Sequence, residues 1–285
     1  MGLFDKKYCD ICGEKIGLLG NRKLEDGNLC KNCAAKLSPW FSDRRSSTVA
    51  DIREQLSYRE ENQDKVDAFN ATRTVGENYV VYLDEDNRKF LVSSSKNYRS
   101  ENPDVLDFSQ VTGCDLEVDE SRNEIMREDK DGHSVSYNPP RYDYEYDFYI
   151  HLRVNHRWFD EMKFRVNSRS VQIPCGSQTG GARPVMQGGR PMQGGRPVQG
   201  QRPGMQSSFR PGFAASFDPS GNLEYQRYVA MGNEIKEVIM QVRQEARDTI
   251  AAANAPKAAV ICPSCGASTI PDANGCCEYC GSAIG

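Results

Sequence analysis

Long apolar runs are missing from this chain of 285 residues. No stretch approaches the ~18–20 consecutive apolar residues of a membrane-spanning helix, which excludes an integral helical membrane protein. Histidine is scarce: His133, His151 and His156 are the three, and none stands in an H-E-x-x-H spacing. G-x-S-x-G, P-loop and G-x-G-x-x-G signatures are missing too, so the sequence offers no nucleophile elbow and no phosphate-cradling glycine loop. There is no excess of positive charge. Lys and Arg number 36 against 40 Asp and Glu, a formal charge of −4, and the pI is near 5.6. A globally basic nucleic-acid binder is therefore not expected. The opening MGLFDKKYCD has no apolar run before a cleavage site, so no secretory signal is expected. Lys6 stands where a myristoylation motif needs Ser or Thr.

Cysteine, by contrast, is plentiful. Nine of the 11 cysteines fall in the first 33 and last 24 residues, as C-x-x-C pairs and one extra thiol. Two thiolates at that spacing grip one ion from a single tight turn, and two such turns complete a tetrahedral Zn²⁺ site. The first set is Cys9, Cys12, Cys30 and Cys33. Gly13 follows its first pair, Asp26-Gly27 reads as a hairpin turn, and AAKLSPWF after Cys33 reads as a short helix stopped at Pro39. Knuckle, hairpin and ligand-bearing helix suggest a treble-clef-like module. The second set is Cys262, Cys265, Cys277 and Cys280, within the repeated strings CPSCG and CEYCG, a zinc-ribbon layout with two facing knuckles. Cys276 would leave a three-residue gap to Cys280 and reads as a spare thiol. Two structural Zn²⁺ ions per chain are expected, and reduced thiolates point to the cytoplasm.

Between these ends the pattern changes several times. Residues 46–74 read as a linking helix, with Ser47 or Thr48 as cap, Asp51 behind it, and an interrupted stripe of Val49, Ile52, Leu56, Val66 and Phe69. A solvent-exposed connector is the expectation, and a partner-binding or self-associating helix is the alternative. Residues 75–170 turn to period two. The clearest strand is RYDYEYDFYIHLRVN, which puts Tyr142, Tyr144, Tyr146, Phe148, Ile150, Leu152 and Val154 on one face. Seven strands are expected in all. Residues 171–222, with RPVMQGG, RPMQGG and RPVQGQ, read as a disordered Arg/Gly/Pro/Gln-rich insert, either a passive loop or a weak partner or nucleic-acid contact. Residues 223–253 return to period 3.6, with Tyr225, Tyr228, Ile235, Val238, Ile239, Val242, Ala246 and Ile250 on one stripe and Asn222 as a possible cap. Such a helix must bury its stripe, and the sheet is the nearest candidate. The zinc ribbon occupies 258–285, and the first zinc module 1–45.

Seven strands closed by one C-terminal amphipathic helix resemble a pleckstrin-homology (PH) or GRAM-type domain. The segments LDFSQVTGCDLEVDE and FDEMKFRVNSRSVQI are similar in style to strands of bacterial members of that superfamily. The N-terminal CDICGEKIGLLGNRKLEDGNLCKNCAAKL resembles an uncharacterised bacterial zinc-domain family, and CPSCGASTIPDANGCCEYCG resembles a widespread bacterial zinc ribbon. The expected class is mainly β with α: a zinc module, a linking helix, a seven-stranded PH/GRAM-like sandwich with a capping helix, and a terminal zinc ribbon. The expected role is non-enzymatic, an adaptor or assembly protein acting through protein partners, with homo-oligomerisation possible. Nucleic-acid binding is the first alternative, although residues 223–285 carry 5 basic and 7 acidic side chains. Peripheral lipid binding through the β-domain is the second. The resemblance invites it, but 13 basic against 20 acidic residues in 75–170 oppose it, because an anionic headgroup needs a basic pocket.

Overall fold

The computed structural model describes residues 6–176, 218–254, 259–272 and 274–284. Most of the expected insert, 177–217, lies outside the described residues.

The N-terminal module is built on a two-stranded hairpin, β1 (Arg22–Lys23) and β2 (Asn28–Leu29), followed by a single-turn helix, α1 (Lys31–Ala34). The helix begins before Cys33 rather than after it, because Cys30 caps it: the Cys30 sulfur accepts from the Cys33 N–H at 3.3 Å. Ile16, Leu24, Leu29 and Leu37 form the small core with three of the cysteines, and Ile52 completes it. Ile52 belongs to α2 (Val49–Ala68), so the module extends past residue 45 into the first turn of that helix. The hairpin turn abuts the helix closely. A Cβ on Gly27 would meet a Val49 methyl at 2.5 Å, and Asp26 accepts from the Val49 N–H at 2.7 Å. Thr48 and Asp51 form a reciprocal capping box at the start of α2.

α2 is not a solvent-exposed connector. It buries Ile52, Gln55, Arg59, Asn62 and Val66, a stripe at spacings of three and four. Most of that stripe is polar, which hides it from a reading based on apolar periodicity. Partners account for the burial of Arg59 and Asn62. Asp104, fully buried, accepts from Arg59 at 2.8 Å, from the Tyr58 hydroxyl at 3.0 Å and from the Ser38 hydroxyl at 2.7 Å. Asn62 donates to the Pro103 carbonyl at 2.8 Å and accepts from the Val105 N–H at 3.0 Å. The segment after α1 docks alongside. Trp40 lies 6.4 Å from both Tyr79 and Phe164, and Phe41 meets Trp158 edge-on at 6.0 Å. The N-terminal module, helix and β-domain therefore share one junction, held by the hydrogen bonds of Asp104 and Asn62 and by an aromatic cluster, although Gln55 and the Arg59 Nε are buried there without a hydrogen-bond partner.

The β-domain holds two four-stranded antiparallel sheets. The first runs β3 (Arg73–Gly76), β4 (Val80–Asp84), β5 (Lys89–Ser93), β6 (Leu106–Asp107) in that order. The second is built on a long pair, β7 (Val111–Glu124) and β10 (Tyr142–Val154), in which Phe148 faces Val118 and Leu152 faces Cys114. The hairpin β8 (Met126–Glu128) and β9 (Ser134–Ser136) interrupts the sequence between them. β11 (Glu161–Arg165) and β12 (Val171–Ile173) share the other edge of β10. The expected count of seven strands is too low. β3, β6 and β12 are two to four residues long, too short to show a period. β12 also takes the start of the segment read as insert. Helix α3 (Leu223–Asn254), capped by Asn222 accepting from the Tyr225 N–H at 2.9 Å, lays Tyr228, Ile235, Val238, Ile239 and Val242 into the core shared by the two sheets. Tyr225 packs edge-on against Tyr146 and Phe148 at 5.0 and 5.2 Å. A last short pair, β13 (Val260–Ile261) and β14 (Ser268–Thr269), belongs to the C-terminal module. No helix among the described residues is long and apolar enough to cross a membrane.

Candidate metal centres

The chain reverses at each cysteine pair, and three of the four reversals have one construction. Cys9, Cys262 and Cys277 each accept at the carbonyl from the glycine four residues on, at 2.8 Å, and each donates its N–H to the residue after that glycine, at 2.9, 2.8 and 2.8 Å respectively. The glycines are Gly13, Gly266 and Gly281, with φ of +74°, +72° and +71°. That left-handed turn is open to glycine at little cost, which is why C-x-x-C-G recurs. The fourth pair is followed by Ala34 instead. There the chain continues as α1, with the Ala34 N–H on the Cys30 carbonyl at 3.0 Å. One residue thus separates a knuckle from a helix-borne ligand pair.

These turns gather the sulfurs. The Sγ atoms of Cys9, Cys12, Cys30 and Cys33 lie within 4.8 Å of one another, as do those of Cys262, Cys265, Cys277 and Cys280. Cys12 and Cys30 are 3.7 Å apart, Cys262 and Cys280 3.6 Å, and Cys265 and Cys277 3.7 Å. A tetrahedron of thiolates about 2.3 Å from Zn²⁺ has edges of about 3.8 Å. A disulfide would bring a pair to about 2.0 Å. Each group could therefore hold one metal ion, two in all.

The electrostatics of the two clusters agree with that geometry. Burial raises the Cys9 thiol, but N–H donors from Cys12, Cys30 and Ile11 outweigh it and bring it down to about 6. Burial and the neighbouring thiol groups push Cys33 up. In the second cluster the Ser282 hydroxyl and N–H bring Cys280 down to about 6. Cys265 has an N–H donor from Ala267, but the surrounding thiols and burial outweigh it and push it up to about 12. One thiolate forms readily in each cluster and further negative charge is resisted. A bound dication removes that resistance, because thiolate ligands are held deprotonated by the metal.

Cys276 stays outside the second cluster. Its N–H donates to Asp272 at 2.8 Å, and its sulfur faces the Asn274 carbonyl at 3.8 Å. Cys114 is buried in the β-domain core, where burial pushes its thiol up to about 12. Cys175 is exposed. The histidines are dispersed. His151 lies between Glu117 and Glu161, with Nδ1 2.5 Å from the latter. His156 packs at a tilt against Phe159 at 4.3 Å and Tyr58 at 5.1 Å. His133 joins Asp129 and Asp131 in an exposed group at the β8–β9 turn that sequence reading did not single out. Asp129 there already accepts from the Asp131 and His133 N–H groups at 2.9 Å, an ordinary side-chain-stabilised turn.

Residues 7–55 match a family model described as a domain of unknown function, DUF4428. The match ends three residues beyond Ile52, in agreement with a module core that reaches into α2. No curated protein and no solved structure matches the chain.

Proposed function

We propose that the protein is a non-enzymatic cytoplasmic adaptor or assembly protein, with one structural Zn²⁺ in each four-cysteine cluster and protein–protein contacts as its mode of action. The observation that carries this reading is that cysteine fills all four ligand positions of both clusters. Zinc held by four thiolates has no open position for substrate or water, so it serves to fold a module rather than to catalyse. Cys9, Cys12, Cys30 and Cys33 would hold one ion, and Cys262, Cys265, Cys277 and Cys280 the other. Modules this small lack the core to fold alone, and zinc binding worth about 10 kcal/mol or more supplies that energy. The dispersed histidines and the core placement of Cys114 support a non-catalytic role. Two sheets around one core, closed by α3, support the PH/GRAM-like reading of the β-domain. Its excess of acidic residues favours a protein ligand there over an anionic headgroup.

The test is affinity capture of the full-length, zinc-loaded protein from nuclease-treated lysate of its own cells, followed by reconstitution with the purified partner. The reading expects a protein partner that survives nuclease, binds in the purified system and is lost in Cys9→Ser or Cys262→Ser. Capture of nucleic acid alone, with no protein that rebinds, contradicts it.

A further inference from the structure

The N-terminal module carries a surface that neither its metal cluster nor the junction explains. Leu18 and Leu19 stand between Gly17 and Gly20 and are 90% and 89% exposed. Next to them is a concavity of about 610 Å³ lined by Arg22, Lys23, Arg44 and Arg45, with Glu25 as its one acidic residue. Among the described residues none of these four cations is paired with a carboxylate. Arg22 donates to the Leu19 carbonyl at 3.4 Å and so ties the apolar tip to the basic hollow, while Arg44 donates to the Lys23 carbonyl at the same distance. Burial and the charges of Arg22 and Arg45 lower Arg44 from its ordinary value, a sign of crowded like charge.

Neither feature stabilises the fold. Exposed leucines forfeit burial, and gathered cations repel one another. Together they match one kind of surface. An apolar tip enters the acyl boundary of a bilayer while Lys and Arg beside it meet headgroup phosphates. Nucleic acid would use the cations, but it favours aromatic platforms over leucines, and no aromatic side chain lines the hollow.

We propose that the N-terminal module docks the protein on an anionic phospholipid bilayer, with Leu18 and Leu19 inserted and Arg22, Lys23, Arg44 and Arg45 on the headgroups. This is a second surface, separate from the acidic β-domain, and it does not depend on the adaptor reading.

The test is co-sedimentation of the full-length, zinc-loaded protein with vesicles of phosphatidylcholine alone or mixed with phosphatidylglycerol. Binding is expected to the mixed vesicles only and is expected to weaken with salt. Arg44→Gln/Arg45→Gln should lower the partition about 25-fold, at about fivefold per charge. Leu18→Ser/Leu19→Ser should lower it about a hundredfold, from the apolar area withdrawn from the bilayer. Both leucines are solvent-exposed, so the variant should keep the wild-type metal content and circular dichroism. Failure of the wild-type protein to bind mixed vesicles overturns the proposal, as does equal binding by the leucine variant. An arginine-dependent affinity for inorganic phosphate or single-stranded RNA that ignores the leucines, without vesicle binding, also overturns it.

Discussion

Arg59 and Asp104 form an ion pair at 2.8 Å with side chains 7% and 0% exposed. A pair this deep adds little over an apolar one of equal shape, but losing one partner strands the other as a buried charge. Arg59→Met should therefore lower stability by about 3 kcal/mol, even with Ser38 and Tyr58 still donating to Asp104. Urea unfolding followed by tryptophan fluorescence reads this directly, because the chain has 2 tryptophans, Trp40 and Trp158, both at the junction. An unchanged midpoint would mean that the network is not what joins the parts. Beside it, burial lowers His156 from its ordinary value, with Lys65 acting in the same direction and Asp104 against both. The unfolded chain then takes up a proton at about 6.5, before the folded protein does. Stability from this group is complete above that pH and is lost as pH falls from about 6.5 toward the folded value. His156→Phe, which keeps the ring contacts, should show a shallower loss of melting temperature between about pH 7 and 5.5 than the wild type. Thiolates and carboxylates titrate alike in both proteins, so the difference isolates His156. Parallel curves would contradict its role. None of this was legible from the sequence. Asp104 sits in a loop, and its donors lie about 45 to 66 positions away.

Helix α3 and strand β7 approach closely at Gly232, where any larger side chain would have to displace Leu116. A Cβ on Gly232 would lie 2.5 Å from Leu116 Cδ1 and 3.2 Å from its Cγ. Gly232→Val should lower stability by about 2 kcal/mol through overpacking, and Leu116→Ala in the same chain should recover part of that loss. Thermal unfolding of the two single variants and the double variant forms the cycle, and strictly additive losses would contradict the contact. The helix stripe and the alternation of β10 were both readable, because each runs for many residues with one face wet. From them the docking of α3 on the sheet follows as the burial of two apolar faces. The short strands were not readable, because two to four residues carry no period. The buried face of α2 was not readable for a different reason. Its core-facing Gln55, Arg59 and Asn62 look like a solvated surface until the Asp104 and Pro103–Val105 partners of Arg59 and Asn62 are known.

Across the whole molecule, the cysteine pairs were the clearest signal in the sequence, since a metal site in small modules is written as spacing rather than as tertiary packing. The glycine after three of the pairs even encodes the knuckle, and its replacement by Ala34 marks the one helical half-site. The boundary of the N-terminal module was less clear. The module borrows Ile52 from α2, and SPWF, which reads as a helix stop, supplies the Trp40 and Phe41 that dock it on the β-domain. The two clusters stand at opposite ends of the chain and share no ligand. Each should therefore load, and be lost, independently. Native mass spectrometry of the intact protein from zinc-replete cells tests this most directly. The account predicts two zinc ions per chain, one ion in Cys9→Ser and one in Cys262→Ser. A single ion or none in the intact protein, or two ions in either variant, would contradict it.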